Sequence, residues 1–493
     1  MDDRLYIGGR FTPALAGATI EVRNPHDGDK LADVAEARAE DVDLAVEAAS
    51  EAFPVWSATS AMDRGRLLLR LADAIEADAE ELARIETLDT GHPIRDTSVL
   101  DVPRTAATFR YFGGMADKFQ GSIPPVEAGF LNHVYRRPLG VVGQIVPWNF
   151  PLMFTSWKLG PALAAGNTVV YKPAELTPLS TLRLARLIDD AGFPPGVVNI
   201  VPGYGHTAGA RIGEHSGIAK VSFTGSTLTG RSLVAASAGN LKRLQLELGG
   251  KGANIVFEDA DLDAALAGSA FAIFHNQGQA CIAGSRLLLH EAVADEFLER
   301  FLRLTKAIKL GDPMDRATEM GPLTSPGHRD RVLDYVKVAL DEGGEILSGG
   351  RAPADPSLAN GCYVEATVVR AKPADRVCHE EVFGPFVTVS TFSTEDEAIG
   401  IANGVEYGLS GSIYTRDVNK AFRAMREFET GIFYVNSSTI GAEVHLPFGG
   451  IKNTGNGHRE AGIAGLEVFT EWKSIYVDFS GRLQKAQIDT HEN

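Results

Sequence analysis

The sequence predicts an α/β protein with more than one domain. Short apolar runs alternate with segments of helical periodicity, and these runs are apolar at nearly every position. Such strands are buried on both faces, as in parallel sheets covered by helices. With 493 residues, the chain is also longer than a single hydrophobic core requires. Because sheets of this kind bind ligands at the carboxyl ends of their strands, we expect a nucleotide-binding site there.

The first hundred residues predict one long amphipathic helix. Apolar residues between Leu67 and Leu88 recur at steps of three and four, and Gly91 and Pro93 follow as stop signals. We expect a single helix that ends near residue 90.

Two series of strands and helices follow. The first has predicted strands at residues 141–146, 168–171, 197–201 and 221–223, with a helix at 179–190. The second has strands at residues 254–257 and 286–290 and a helix at 292–309. Each series predicts a separate α/β domain.

Two further segments look like strands with free edges, at residues 120–138 and 472–479. An exposed strand edge promotes aggregation unless another element covers it. We therefore expect both segments to pair with a neighbouring subunit, in a homodimer or homotetramer.

Charge and composition narrow the classes of partner. The chain carries 47 basic and 64 acidic residues, a formal net charge of -17, which repels nucleic acid and anionic membranes. No secretory leader is evident, no apolar stretch is long enough to span a bilayer, and three cysteines cannot all pair. We expect a cytoplasmic protein that contacts neither nucleic acid nor membrane.

Cys281 is the candidate nucleophile. A lone cysteine in a long chain is more often an inert buried thiol. Here three glycine or glutamine residues, at 277–279, come before the thiol and Gly284 follows, so the segment is open enough for a reacting thiol. Cys362 and Cys378 lack such surroundings and are interpreted as structural. Because no cysteine or histidine pattern has metal-ligand spacing, no metal site is expected.

Glu247 and Asn149 complete a covalent acyl-transfer site. A thiol can attack a carbonyl carbon, a carboxylate can later activate water, and an amide N–H can stabilise the intervening oxyanion. Glu247 could instead be an ordinary solvated carboxylate, but the adjacent Gly249 and Gly250 favour a functional role.

Seven motifs together resemble the aldehyde dehydrogenase superfamily. They occur in family order: PWNFP at 147–151, KPAE at 172–175, FTGS at 223–226, LELGGK at 246–251, GQAC at 278–281, EEVFGP at 380–385 and PFGG at 447–450. The resemblance implies a Rossmann-like cofactor domain at residues 1–117 and 139–246 and a catalytic domain at 247–452. It also implies a small β oligomerisation element at 118–138 and 466–493.

The resemblance also implies a reaction. The Cys281 thiolate attacks the aldehyde, and the Asn149 amide with the Cys281 backbone N–H stabilises the oxyanion. Hydride passes to a nicotinamide, and Glu247 then activates the water that hydrolyses the thioester. Lys158 is expected near the thiol, where its charge would lower the pKa of Cys281.

NAD is the expected cofactor, with NADP possible. A carboxylate at Glu175 accepts hydrogen bonds from a ribose 2′-hydroxyl and repels a 2′-phosphate, although Lys172 beside it could admit one. Ser226 is expected at a helix N-terminus, where free N–H groups bind phosphate. The chain has no GxGxxG motif. The implied cofactor contacts are Ile145, Val146, Trp148, Lys172, Glu175, Gly225, Ser226, Leu248, Glu381 and Phe383.

The substrate is expected to be an aliphatic aldehyde or a semialdehyde. Aromatic residues at helical spacing are more often core, but the resemblance makes them walls of a substrate tunnel. The loop 437–446 resembles loops of semialdehyde-oxidising branches, so His445 could face a distal carboxylate. The implied substrate contacts are Phe150, Phe154, Trp157, Ile282, His445 and Phe448.

Two alternatives stay open at this point. A coenzyme A-acylating relative would pass the acyl group to a thiol, but such enzymes usually lack a base at the position of Glu247. A non-catalytic relative that serves as a structural or binding protein would usually lack the thiol, whereas Cys281 is present.

Overall fold

A computed structural model describes residues 3–126 and 128–481. In this part of the chain the strands form two seven-stranded sheets and three two-stranded sheets. The α/β fold class is confirmed. The domain boundaries stay predictions. Residues 482–493 of the predicted oligomerisation element lie outside the described residues.

The first half of the chain contains the strands of the first large sheet, some strands that lie outside it, and the helices that cover it. Its strands are β1 (Leu5–Ile7), β2 (Arg10–Thr12), β3 (Thr19–Arg23), β4 (Lys30–Ala35), β5 (Phe130–Pro138), β6 (Val141–Ile145), β7 (Thr168–Lys172), β8 (Val198–Ile200), β9 (Lys220–Thr224) and β10 (Arg243–Glu247). Its α-helices are α1 (Ala39–Ala58), α2 (Ala61–Ala77), α3 (Ala79–Thr90), α4 (Ile94–Asp96), α5 (Val102–Met115), α6 (Pro151–Ala164), α7 (Leu179–Asp190), α8 (Ala210–Glu214) and α9 (Thr227–Ala236). Two π-helical segments (Thr97–Asp101 and Gly205–Gly209) and a 3₁₀ turn (Ser237–Gly239) complete this half.

The second half of the chain contains the strands of the second large sheet and some strands that lie outside it. Its strands are β11 (Ala253–Val256), β12 (Arg286–His290), β13 (Glu345–Ser348), β14 (Thr367–Arg370), β15 (Phe386–Phe392), β16 (Tyr407–Gly408), β17 (Ser410–Tyr414), β18 (Ile432–Val435), β19 (Ile451–Lys452) and β20 (Thr470–Asp478). Its α-helices are α10 (Leu262–Phe274), α11 (Glu291–Ala307), α12 (Pro326–Asp341), α13 (Arg376–His379), α14 (Glu395–Asn403), α15 (Val418–Glu427) and α16 (Gly462–Glu467). It also has 3₁₀ turns at His275–Gly278 and Pro356–Leu358.

The first large sheet has the strand order β10-β9-β6-β7-β8-β1-β2. Its first five strands are parallel, and β1 joins them in the antiparallel direction. Every residue of β6, β7 and β9 is buried, as the continuous apolar runs predict. Their last residues, together with Glu247 of β10, therefore lie along one carboxyl edge.

The second large sheet has the order β13-β14-β15-β12-β11-β17-β18, with only β13 antiparallel. Cys281 lies in the connection between α10 and β12. In the part of the chain the structure describes, no helix combines the length and apolar character that crossing a membrane requires.

The prediction of one long N-terminal helix is wrong. The chain forms α2 and α3, separated at Asp78, whose φ of -101° and ψ of 15° leave the helical region. The Asp78 carboxylate accepts two hydrogen bonds from the Arg183 guanidinium on α7, at 2.7 and 2.5 Å. Helical periodicity continues across the break because both helices bury an apolar face in the same core.

The two edge segments pair with each other, which the sequence did not predict. β5 and β20 form an antiparallel ribbon with nine residue pairs, from Phe130 with Asp478 to Pro138 with Thr470. Ser122 also bridges to Val134 on the other side of β5. Pairing of this ribbon with a second subunit stays a prediction.

α2 and α5 cross at a pair of glycines. A β-carbon at Gly65 would lie 2.5 Å from the carbonyl oxygen of Gly113, and one at Gly113 would lie 3.0 Å from that of Gly65. Neither position can hold a side chain unless the two backbones separate. This contact fixes α5, which lies beside α6 and the candidate site.

The glycine crossing predicts opposite effects for two alanine substitutions. Gly65→Ala should lower the free energy of unfolding by about 1–3 kcal/mol, the usual effect of overpacking. Gly114→Ala, at an exposed position of α5 with no atom within 4 Å of the added carbon, should raise it by up to about 1 kcal/mol. Urea titration followed by circular dichroism measures both, and equal stability of the two variants would contradict the packing account.

Candidate active site

Cys281 lies where two cavities meet. Its half-buried side chain lines both an apolar cavity and a more polar one. We call the first the apolar cavity and the second the central cavity. A third, the edge cavity, shares Pro147, Trp148, Thr224 and Gly225 with the central cavity and continues along the carboxyl edge of the first sheet.

Hydrogen bonds join the Cys281 loop to the Asn149 loop. Asn276 donates from Nδ2 to the Asn149 carbonyl oxygen at 2.8 Å, and Asn149 donates from Nδ2 to the Gln279 carbonyl oxygen at 2.9 Å. Asn276 and Gln277 adopt left-handed backbone angles, with φ of 46° and 56°. These bonds place the Asn149 amide beside the thiol segment, as the sequence predicts.

The LGGK segment packs directly against the backbone of Cys281. A β-carbon at Gly250 would lie 2.3 Å from the Cys281 carbonyl oxygen, so no larger residue fits. The Gly250 N–H donates to Oε1 of Glu381 at 2.8 Å. One short segment thus supports both the thiol and a carboxylate of the central cavity.

Glu247 ends β10 and is almost fully buried, at 3% exposure. Its Oε1 has no hydrogen-bond partner among the described residues. Burial raises the pKa of Glu247 well above the usual range, and the charge of Glu460 raises it further, while Lys158 and Arg459 oppose the shift. A carboxylate with a raised pKa and a free oxygen is suited to general-base work near neutral pH.

Lys158 does not have the predicted effect on the thiol. Its ammonium pairs with the buried Glu460 and donates to Ser222 Oγ at 3.0 Å. The pKa of Cys281 is raised, by burial first and then by the charges of Glu381 and Glu247. The structure therefore does not support the prediction that Lys158 lowers this pKa, since the lysine pairs with Glu460 and the charges that act on the thiol are those of Glu381 and Glu247.

The ten predicted cofactor residues lie along the central and edge cavities. The edge cavity is lined by Ile145, Val146, Trp148, Lys172, Glu175 and Gly225. The central cavity is lined by Trp148, Gly225, Ser226, Leu248, Glu381 and Phe383. Sequence reasoning missed four further titratable residues at these walls: His206, Glu214, His328 and Arg331.

Local contacts fix several of these side chains. Lys172 donates from Nζ to the carbonyl oxygens of Pro173 and Gly203, both at 2.8 Å, and lies 3.4 Å from Glu175 Oε2. Burial lowers the pKa of Lys172, although Glu175 opposes the shift. Ser226 caps α9 by accepting a hydrogen bond from the Thr229 N–H at 3.2 Å, so the predicted helix N-terminus is present.

The apolar cavity contains five of the six predicted substrate residues. Its walls include Phe150, Phe154, Trp157, Ile282 and Phe448. His445 is not among the lining residues and is exposed; its loop contributes Ile440, Gly441 and Ala442 instead. The structure therefore does not support a role for His445 in this cavity.

Comparison with known proteins identifies the family. Residues 11–475 match the model of the aldehyde dehydrogenase family. The rat mitochondrial aldehyde dehydrogenase (Rattus norvegicus) is 44% identical over 481 residues, covering 96% of this chain and 91% of the relative. The chain belongs to the aldehyde dehydrogenase family.

Solved structures of similar aldehyde dehydrogenases superpose closely on the chain. A putative aldehyde dehydrogenase from Burkholderia cenocepacia has 61% identity and a TM-score of 0.97, over 100% of this chain and 99% of that one. PnpE from Pseudomonas sp. WBC-3 has 60% identity and a TM-score of 0.96, with the same coverage. PnpE has also been solved in complex with nicotinamide adenine dinucleotide.

The family resemblance did not reveal a polar cluster at the wall of the apolar cavity. His92 Nδ1 lies 2.7 Å from Asp101 Oδ2. One ring nitrogen each from His92 and His275 and one carboxylate oxygen of Asp96, atoms of the kind that bind metal ions, lie within 4.8 Å of one another. Asp101, His275 and Arg104 line the cavity itself. Four of these residues lie between positions 92 and 104, whereas His275 comes from the segment before Cys281, so only the fold completes the cluster.

Proposed function

We propose that this aldehyde dehydrogenase oxidises an aldehyde to a carboxylic acid, with NAD as hydride acceptor and Cys281 as nucleophile. The observation that carries the proposal is the position of the Cys281 side chain at the junction of the apolar and central cavities. A thiol there can bond to a carbonyl held on one side while a second ligand lies on the other.

The residues of the central and edge cavities fit a dinucleotide. Thr224 Oγ1 is buried at the wall of both cavities without a hydrogen-bond partner among the described residues, which suits a polar ligand. Glu175 would accept hydrogen bonds from a ribose, and the N-terminus of α9 behind Ser226 would bind the pyrophosphate. The Glu175 carboxylate favours NAD over NADP because it repels a 2′-phosphate. When bound, NAD supplies the acceptor for a hydride.

The first chemical step requires the thiol to lose its proton. Burial keeps Cys281 protonated, because its pKa is raised. Glu247 is the nearby acceptor, and its own raised pKa lets it hold that proton. The resulting thiolate attacks the carbonyl carbon, and the carbonyl oxygen becomes an oxyanion.

Three N–H groups are available to this oxyanion, one from a side-chain amide and two from the backbone. The Asn149 amide uses one N–H for Gln279 and has a second to donate. The backbone N–H groups of Cys281 and Ile282 donate toward the sulfur, where they oppose the rise in the pKa of Cys281. Collapse of the oxyanion releases the hydride and leaves a thioester on Cys281.

Glu247 then completes the cycle. Once the proton taken from the thiol has passed to solvent, its carboxylate takes a proton from a water molecule and the hydroxide attacks the thioester carbon. The carbon–sulfur bond then breaks to release the acid and the Cys281 thiolate, which regains a proton from Glu247. The buried base with a free Oε1 favours water as the acyl acceptor, so a coenzyme A-acylating role has less support. A non-catalytic role has less support because the thiol, the base and the amide donor converge.

The assembly proposal is a homodimer or homotetramer that uses the β5–β20 ribbon. Among the described residues the outer edge of β20 has no strand partner, and Trp472, Tyr476 and Phe479 are 55%, 76% and 67% exposed. A cytoplasmic location is also proposed, supported by three free cysteines at positions 281, 362 and 378.

Cys281→Ala should abolish NADH formation, with a loss on the order of 10⁶-fold, as for removal of other catalytic nucleophiles. NAD binding, measured by isothermal titration calorimetry, should persist because most of its contacts lie along the first sheet. Cys362→Ala, at a buried cysteine outside the three cavities, is the matched control and should keep its turnover. Turnover by the Cys281→Ala protein would exclude the assigned nucleophile.

Thioester hydrolysis should rise with pH through the pKa of Glu247, because only the carboxylate accepts a proton from water. Glu460→Gln removes a negative charge that raises this pKa, so the rise should move to lower pH. Lys158→Met removes a positive charge that lowers it, so the rise should move to higher pH. Stopped-flow measurement of the hydrolysis step across pH tests both, and shifts in the same direction would contradict the role of Glu247.

A further inference from the structure

The apolar cavity contains one cation that has no partner. Arg104 lies in the first turn of α5, is partly buried and lines the cavity together with Cys281. In residues 3–126 and 128–481, its guanidinium makes no hydrogen bond or ion pair. Arg110, on the same helix, binds Asp73 and Glu76 at 2.9 and 2.8 Å. An arginine left unpaired beside aromatic walls calls for an anionic ligand.

No carboxylate among the described residues forms an ion pair with Arg104, although its charge helps to lower the pKa of Asp101. Asp101 also lines the cavity, but it pairs with His92. Burial opposes ionisation of both groups, yet their mutual attraction lowers the pKa of Asp101 and raises the pKa of His92. His275 is neutral, because burial and the nearby charge of His92 lower its pKa to about 3. His92 thus pairs with Asp101 and lies 3.7 Å from Asp96, whereas Arg104 is a cation at the cavity wall that no carboxylate among the described residues holds in an ion pair.

The remaining lining is hydrocarbon or aromatic. Leu100, Met153, Phe271 and Ile440 line this cavity in addition to the five residues predicted from the sequence. Such a lining excludes water and strengthens any ion pair that forms at the guanidinium. A ligand that satisfies this cavity has an apolar body and one anionic end.

We propose that Arg104 binds the carboxylate of a substrate whose other end is the aldehyde, so that the enzyme prefers semialdehydes of dicarboxylic acids. The proposal rests on the proposed function, because it assumes that the aldehyde reaches Cys281 through this cavity. A planar guanidinium matches a carboxylate with two parallel hydrogen bonds. The proposal assigns to Arg104 the carboxylate-binding role that the sequence suggested for His445.

The test compares two series of aldehydes with each protein. One series is the straight-chain oxo acids of four to six carbons, and the other is the unbranched alkanals of the same length. Steady-state NADH formation gives kcat/KM for each, and the ratio of oxo acid to alkanal isolates recognition of the carboxylate. The proteins are the wild type, Arg104→Met, Arg104→Lys and the control Arg110→Met.

The wild type should prefer at least one oxo acid over its matched alkanal. Arg104→Met should lower the ratio about 10- to 100-fold, the usual effect of losing a hydrogen bond to a charged group. The loss should appear mainly in KM, because the contact is made equally in the ground and transition states. Arg104→Lys should recover part of the ratio, since it keeps the charge but loses the planar fork, and Arg110→Met should keep the wild-type ratio.

Three results would overturn the inference. An Arg104→Met ratio equal to that of the wild type would exclude the subsite while leaving aldehyde oxidation intact. An equal loss in Arg110→Met would assign the effect to net charge instead of the cavity. Failure of the wild type to oxidise any aldehyde of either series would overturn the proposed function itself.

Discussion

The site depends on the close contact between the Cys281 loop and two other backbone segments. Asn276 and Asn149 exchange hydrogen bonds between two loops, and Gly250 lies against the Cys281 carbonyl oxygen where no side chain fits. The Asn149 loop follows β6 of the first sheet, and Gly250 lies in the segment that connects β10 of the first sheet to β11 of the second. The position of one thiol between two cavities is therefore fixed by the mutual arrangement of both sheets.

Buried carboxylates govern the reactivity of this thiol. Burial, Glu381 and Glu247 all raise the pKa of Cys281, so the structure holds a protonated thiol. Activation then requires a base, and the same environment raises the pKa of Glu247 so that it can act as one. The Lys158–Glu460 pair adjusts that base and does not directly activate the thiol. In the proposed mechanism, a low-dielectric site links thiol activation to water activation through the Glu247 carboxylate.

The sequence predicted the parts of the site that short motifs encode. Six strands of the two large sheets (β6, β7, β8, β9, β11 and β12), the helix Leu179–Asp190 and the walls of the central and edge cavities follow from local patterns and family motifs. Contacts between distant segments were not predictable in this way. Lys158 and Glu460 are 302 residues apart, and their pairing, which no local pattern shows, occupies the lysine that was expected to act on the thiol.

Three other differences between the prediction and the structure also arise from contacts between distant segments. β5 and β20 were expected to need a second subunit because nothing local shows that they lie side by side. Arg104 was missed because a lone arginine in a helix has no signal of its own. Only the fold shows that the helix borders the cavity and that its guanidinium has no protein partner among the described residues. Local periodicity also concealed the helix break at Asp78, which a carboxylate–guanidinium contact with α7 stabilises.

The most direct test of the covalent route is mass spectrometry of the Glu247→Gln protein after mixing with NAD and an aldehyde that the wild type oxidises. If Glu247 activates the hydrolytic water, the Cys281 peptide should carry the mass of the acyl group, and one equivalent of NADH should form per site. The double variant with Cys281→Ala should show neither. Unmodified Cys281 with continued turnover would contradict the account.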